Sequence, residues 1–256
     1  MSGILNIALN TFRESIRGKL LYVVLVFGGI LIISTYLLSP LSVGSAREKI
    51  ITDVGLAFIS FIGVMTVVVV GSTLVHKEID KKAVYMVLIR PVSRLEYIVG
   101  KFLGIMTAVV IIAVVMGILT AVSVVLGGGK LTGQLIAAVY FSVLEMAVMC
   151  SVVLFFSTFT TPILTFFFAG CVFAAGSLSA DLRVFAEKMG SAGAKFLMDG
   201  IYYILPNLSI FNYRHEAVHN LPLPFSDVLV SSLYTVVYSG VLLFLAFMVF
   251  RRREFV

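Results

Sequence analysis

The sequence has little charge and few cysteines. Only 12% of its 256 residues are Asp, Glu, Lys or Arg, about half the charged fraction of a typical soluble domain. Two cysteines in a chain of this length exclude a disulfide-stapled scaffold. The hydrophobic fraction of 60% excludes an intrinsically disordered chain. Together with a mean hydropathy of +1.11, these features indicate a membrane protein that crosses the bilayer several times.

The few charges divide the chain into long apolar runs. A helix that crosses a bilayer needs about 20 mostly apolar residues, and the runs lack the alternating pattern of outer-membrane strands. The predicted fold class is therefore an all-α membrane protein, a single transmembrane domain over residues 1–256. Its six predicted transmembrane helices span residues 20–39, 53–75, 101–126, 133–157, 162–180 and 228–250.

Three segments outside these spans have predicted places of their own. Residues 1–19 carry apolar side chains at helical spacing, which predicts an amphipathic helix in the membrane interface. Residues 76–100 form the longest loop on the side of the two termini. The apolar part of residues 181–227 is too short to span the membrane, and Pro206 interrupts it. This segment is predicted to form re-entrant or interfacial helices on the other side.

The distribution of charge predicts the orientation. The side with both termini carries 12 of the 19 Lys and Arg residues and 5 acidic residues, whereas the other side carries 7 of each sign. The positive-inside rule therefore places both termini in the cytoplasm. Because the basic residues are split among membrane flanks, binding to nucleic acid is not expected.

The 76–100 loop has its own local pattern. Val84, Val87 and Leu88 recur at helical spacing, and Pro91 ends that short helix. Ser93 and the glutamate three residues later match a capping box at the start of the next helix. An apolar-faced helix at this place either packs on the interfacial helix of the same chain or docks a cytoplasmic partner.

The amino-acid sequence of this loop resembles the signature loop of ABC-2 type transporter permeases. The resemblance rests on Glu78-x-Asp80, on the run 90–94 (Arg-Pro-Val-Ser-Arg) and on Tyr97-x-x-Gly100-Lys101, and it extends to the amphipathic N-terminus, the six spans and the outer segment. It implies that the loop couples the chain to an ATPase. The residues so implied are Glu78, Asp80, Lys81, Val84, Val87, Leu88, Arg90, Pro91, Ser93 and Arg94.

What the resemblance implies is the multi-pass transmembrane subunit of an ABC exporter in the inner (cytoplasmic) membrane, with an unidentified substrate. Such a subunit is not itself an enzyme and holds no cofactor. It would pair with a second permease copy or a sister permease within the lipid bilayer, and with two cytoplasmic ABC ATPase subunits that bind ATP and Mg. The sequence agrees, because the glycine run before Lys130 lacks the spacing of a phosphate-binding loop.

Glu145 lies in the middle of the fourth predicted span. A carboxylate at the bilayer centre costs about 2.5–3.5 kcal/mol on insertion scales. Two interpretations are open: a functional group that faces a pathway or a subunit interface, or a buried and hydrogen-bonded structural group.

The segment His215-Glu216-Ala217-Val218-His219 matches the H-E-x-x-H pattern of zinc proteases. On a helix the two histidines would share a face, and Asn220 and Pro222 are predicted to end that helix. Catalytic zinc needs a third ligand, and none is evident. We predict no metal site, with His215 and His219 as the only candidates. A membrane metalloprotease and an ATP-independent transporter are the alternative functions.

Overall fold

A computed structural model describes residues 3–17, 26–31, 33, 45–80, 93–179 and 205–252 of the chain. Every regular element in these ranges is helical, as the all-α class predicts. The elements are α1 (Gly3–Arg17), α2 (Ser45–Asp80), α3 (Arg94–Leu126), α4 (Gly133–Ser157), α5 (Pro162–Ser177), a 3-10 helix (Leu208–Phe211), α6 (Arg214–His219) and α7 (Phe225–Arg252).

Four helices in the described part of the chain are long and apolar enough to cross a membrane. Their apolar stretches are Glu48–Thr73, Leu95–Leu126, Gly133–Ser157 and Phe225–Arg251, which lie in α2, α3, α4 and α7. The helix Pro162–Ser177 is also apolar but has only 16 residues, or about 24 Å at 1.5 Å per residue. Four long apolar helices and one shorter one therefore support an integral membrane protein.

The helices differ in extent from several of the predicted segments. The predicted span 20–39 falls largely outside the described residues, which there are limited to 26–31 and 33, all helical. The helix around the predicted span 53–75 starts at Ser45 and continues to Asp80. The helix around 101–126 already starts at Arg94. Residues 76–80 and 94–100, which the sequence placed in the 76–100 loop, are therefore helical. This leaves a shorter loop than predicted.

The helices alternate in direction. Gly63 and Gly71 of α2 lie against Met146 and Val153 of α4, so these two helices run parallel, whereas Gly127 at the end of α3 meets Ile51 near the start of α2. Near the start of α4 Tyr140 contacts Ser232 near the start of α7, and at the end of α4 Phe156 contacts Phe168 in the first half of α5. α2, α4 and α7 therefore run one way, and α3 and α5 run the other. We call the end of the bundle where α2 stops and α3 begins the loop end. The opposite end, next to residues 205–219, is the cover end.

Local sequence sets several helix boundaries. At the loop end, the Ser93 hydroxyl accepts from the Glu96 backbone N–H at 3.2 Å, and the Ser93 N–H donates to the Glu96 carboxylate at 2.8 Å. This confirms the predicted capping box. At the cover end, α3 stops in a turn where Gly128 has φ +85°, a conformation that favours glycine. α5 begins with Pro162 in its first turn, where proline is well tolerated.

The core is centred on α4, which has the largest buried share of the four long helices. Its buried side chains pack against α2, α3 and α7, and Phe141, Met146 and Met149 are among the most completely buried residues. α7 has the smallest buried share, and large apolar side chains cover its outer face. Exposed apolar surface of this kind matches a surrounding of lipid.

α1 is held against the first turns of α3. A Cβ atom at Gly104 would lie 2.6 Å from the Ala8 carbonyl oxygen and 2.6 Å from Thr11 Cβ, so only glycine allows this approach. Thr11 is buried in the contact, whereas Leu5 and Leu9 on another face of α1 are exposed. α1 thus turns Thr11 and apolar side chains such as Phe12 to the protein and leaves Leu5 and Leu9 for lipid.

The α1–α3 contact predicts opposite effects of two Gly-to-Ala substitutions. Gly104→Ala forces α1 away from α3 and is expected to destabilise the protein by about 1–3 kcal/mol, the usual cost of overpacking. Gly240→Ala in α7 is the matched control, because nothing lies within 4 Å of the added methyl group. It is expected to be neutral or to stabilise by roughly 0.5–1 kcal/mol. Thermal unfolding of the purified protein in detergent measures both, and equal midpoints would contradict the close contact.

Candidate functional site

The described part of the chain contains a cavity of about 620 Å³ between α2, α4, α5 and the segment after Asn207. It extends from the cover end down to the middle of α4. Its wall is mixed: apolar and aromatic side chains such as Phe61 and Phe173 alternate with the polar side chains of Ser60, Glu145 and Arg214. A concave apolar site with a few convergent polar groups is typical of a ligand-binding site.

Glu145 is the negatively charged group in the cavity wall. It lies near the middle of α4 with only 7% of its surface exposed. The Ser60 hydroxyl on α2 donates a hydrogen bond of 2.5 Å to Glu145 Oε2. The carboxylate is therefore both buried with a hydrogen bond and part of the cavity wall.

Close packing of α2 on α4 places Ser60 within reach of Glu145. A Cβ atom at Gly71 would lie 2.6 Å from Val153 Cγ1, and Gly63 is in close contact with the Met146 side chain. Glycine at these positions lets the two backbones approach, as small residues do in many membrane helix pairs. Serine is small, so its hydroxyl reaches the carboxylate only because the helices are this close.

Residues 205–219 close the cavity at the cover end. The Tyr213 ring stacks on Phe141 of α4, with centroids 4.5 Å apart and planes at 8°. The Asn207 N–H donates to the Tyr234 hydroxyl of α7 at 2.9 Å, and Ser179 donates to the Asn207 side chain at 2.7 Å. These contacts hold the segment on α4, α5 and α7 at once. They also position Arg214, the residue that follows Tyr213, beside the cavity.

Arg214 supplies the second charge of the cavity. Its side chain lines the same cavity as Glu145. The two side chains do not form an ion pair with each other, and in the described ranges no other carboxylate pairs with Arg214. The cavity therefore holds one negative and one positive group on different parts of its wall.

The H-E-x-x-H segment forms a helix of six residues, and Asn220 ends it in the left-handed conformation, as the sequence predicts. The two imidazole rings lie 4.3 Å apart, and His219 Nδ1 is 3.0 Å from the His215 carbonyl oxygen. Glu216 is turned inward, and its Oε2 atom is buried without a hydrogen bond. No group of three potential metal ligands occurs among the described residues. This arrangement does not favour a zinc protease.

Most of the predicted coupling residues are not among the residues that the structure describes. Lys81, Val84, Val87, Leu88, Arg90 and Pro91 lie outside the described residues. Glu78 and Asp80 belong to the last turn of α2, and Arg94 is the first residue of α3. Ser93 caps α3. The structure therefore places the two ends of the coupling loop and leaves its middle as a prediction.

Next to this loop, the start of α3 is anchored in the bundle. Lys101 is 1% exposed, and its ammonium group lies 5.8 Å from the centre of the Tyr97 ring. Tyr97 in turn stacks on Phe250 near the end of α7, with centroids 5.9 Å apart. A change in the position of the loop therefore acts on a packed part of the protein and not on a loose end.

Sequence reasoning identified Glu145 but missed its surroundings. Ser60 and Ser142 are serines in apolar helices, where such residues are common, and Arg214 belongs to the predicted outer segment 181–227. Ser142 lies one turn before Glu145 on α4, but no pattern within one segment links Glu145 to Ser60 on α2 or to Arg214 on α6. The one available signal was the depth of Ser60, which lies inside its predicted span as Glu145 lies inside its own.

The chain belongs to the ABC-2 family of transporter proteins: the family pattern described as ABC-2 family transporter protein matches residues 5–255. No curated protein matches the chain. The expected resemblance is thereby confirmed over nearly the whole sequence. The protein is a permease, the membrane component of an ABC transporter, and the family works with ABC ATPase partners.

The bond between Ser60 and Glu145 predicts a specific loss of stability. Ser60→Ala removes the donor and leaves a buried carboxylate oxygen unsatisfied, which is expected to cost about 1–3 kcal/mol. Ser123→Ala is the matched control, because the Ser123 hydroxyl bonds only the Leu119 carbonyl of its own helix. Unfolding in detergent measures both variants. In a Glu145→Ala background Ser60→Ala is expected to cost little, and an undiminished cost there would show that the bond is not the cause.

Proposed function

We propose that the chain is the permease subunit of an ABC-2 exporter that moves its substrate through the membrane at the expense of ATP hydrolysed by separate subunits. The observation that carries the proposal is family membership over residues 5–255. In the proposed assembly, two permease subunits, identical or sister chains, work with two cytoplasmic ATPase subunits. ATP and Mg are held by the ATPases.

The coupling segment is proposed to be residues 76–100. Its middle carries the apolar face of Val84, Val87 and Leu88, and both of its ends continue directly into long helices. The capping box fixes the start of α3, and α1 packs against the same helix at Gly104. A push on the segment would therefore be transmitted to α2, to α3 and to α1. This rigid attachment supports a role in transmitting movement from the ATPases.

The proposed topology has six spans with both termini in the cytoplasm of a cell with an inner membrane. The alternating helix directions of α2 to α5 and of α7 support it, because they put the loop end and the end of α7 on the same side. Basic residues concentrate on that side, as the positive-inside rule requires. The span 20–39 completes the proposed set of six.

Docking of the ATPase is tested by the apolar face of the coupling segment. Changing Val84, Val87 and Leu88 together to Asp is expected to abolish co-purification of the ATPase, because three charges cannot enter an apolar docking surface. The same three residues changed to Ile form the control and are expected to keep the complex. Co-purification from membranes and transport-linked ATP hydrolysis are the measurements. Unchanged association of the Asp variant would remove the docking role.

The topology is tested by labelling of introduced cysteines. In a variant with Cys150 and Cys171 changed to Ala, a cysteine at Lys130 is expected to react with a membrane-impermeant maleimide in intact cells. A cysteine at Glu254 is expected to react only after the membrane is opened, because that side is cytoplasmic. The reverse pattern would invert the proposed orientation. Labelling of both positions in intact cells would contradict the proposed topology, because three predicted spans separate Lys130 from Glu254 and place them on opposite sides.

A further inference from the structure

Two opposite charges share the cavity without neutralising each other. Glu145 lies at its inner part and Arg214 at the cover end, and both side chains line it. Neither forms an ion pair with any residue that the structure describes, and the hydrogen bond from Ser60 occupies only one carboxylate oxygen. Charges in a low-dielectric site attract a counter-charge far more strongly than charges in water. Each of the two groups is therefore ready to bind a group of opposite sign.

The remaining wall suits an apolar body. Phe173 of α5, Phe211 of the 3-10 helix and Leu56 of α2 line the cavity. Its volume of about 620 Å³ lies within the range of sites for small molecules, which is about 300–1,000 Å³. Phe61 and Leu178 also line it and are each about half exposed, at 52% and 53%. Part of the apolar wall is thus accessible at the surface of the described bundle.

A ligand of one charge fits this wall poorly. A simple cation attracted by Glu145 would be repelled by Arg214, and a simple anion would experience the reverse. A ligand that carries both charges satisfies both groups, and its apolar part covers the aromatic wall. We propose that the cavity binds an amphipathic zwitterion, with its ammonium group at Glu145 and its anionic group at Arg214.

The inference rests on the proposed function only in one respect: it takes this ligand to be the transported substrate.

The same chemistry occurs in an ethanolamine phospholipid, which would enter from the bilayer, and in a short apolar peptide, which would enter from water. Both carry a primary ammonium group, an anionic group and an apolar part. The experiment below therefore includes one probe of each kind.

Binding is measured on the full chain purified in dodecyl maltoside. The sequence contains no tryptophan, so Phe173→Trp introduces a single fluorescent reporter into the cavity wall. The two zwitterionic probes are lauroyl lysophosphatidylethanolamine and trileucine. Lauroyl lysophosphatidic acid and N-acetyl-trileucine lack the ammonium group, and dodecylammonium lacks the anion. Equilibrium dialysis of radiolabelled probes against the unmodified chain repeats the measurement without the reporter.

At least one zwitterionic probe is expected to bind at least about tenfold more tightly than its matched single-charge analogues, as loss of a charge-assisted hydrogen bond implies. Binding by the lysolipid identifies the bilayer as the source, and binding by the peptide identifies the aqueous phase. If neither zwitterion binds, or if dodecylammonium or the anions bind as tightly as the zwitterions, the inference is wrong.

Charge variants test the two proposed contacts. Glu145→Gln and Arg214→Gln are each expected to weaken binding of the zwitterion by about tenfold or more. Glu48→Gln and Arg13→Gln remove the same charges outside the cavity and are expected to leave binding unchanged. Glu145→Gln keeps the shape of the side chain, and its helix content and unfolding midpoint show whether it is folded. A folded Glu145→Gln variant with unchanged affinity would overturn the assignment.

The two proposals fail in different ways. The binding measurement uses the permease alone, without ATPase or ATP, whereas the docking test measures association with the ATPase. Loss of zwitterion selectivity in a chain that still associates with its ATPase removes only the ligand inference. Selective binding by a chain that never associates with an ATPase removes only the exporter function.

Discussion

A carboxylate in the middle of a membrane helix has to be satisfied by protein, because lipid offers no hydrogen bonds. In this permease the Ser60 hydroxyl provides the bond to Glu145. That bond depends on α2 and α4 approaching closely along glycine positions such as Gly71. α5 and residues 205–219, here called the cover segment, form the other walls of the cavity. The cavity between them is the space that this arrangement leaves open.

The cover segment and the Glu145 carboxylate lie in the wall of the same cavity. Tyr213 stacks on Phe141, one turn of α4 above Glu145, and thereby holds Arg214 at the cavity. Arg214 thus places a positive charge on the same cavity wall as Glu145. Irregular backbone at membrane depth is tolerated where protein surrounds it or where it lines a cavity. Residues 205–219 meet both conditions.

Local features of this fold could be predicted from the sequence, and contacts between helices could not. The capping box of Ser93 and Glu96 and the stop at Asn220 follow from residues within one turn of each other, and both are confirmed. The contact of Gly104 with α1, and the bond from Ser60 to Glu145, join residues far apart in sequence, where no periodicity specifies a partner. The position of Arg214 beside the cavity likewise depends on contacts between residues far apart in sequence. Its place follows from how the cover segment packs, and the segment's own sequence resembles that of an ordinary polar loop.

The long helix α2 connects the two functional parts of the proposed permease. It has 36 residues, or about 54 Å at 1.5 Å per residue, and contains no proline that would bend it. Ser60 and Leu56 line the cavity on this helix, and its last turn at Asp80 begins the coupling segment. A helix without a break transmits a displacement of one end as a tilt or shift of the other. If residues 76–100 dock the ATPase as proposed, movement of that segment would therefore change the separation of α2 from α4 at Glu145, the level at which the cavity holds its negative charge.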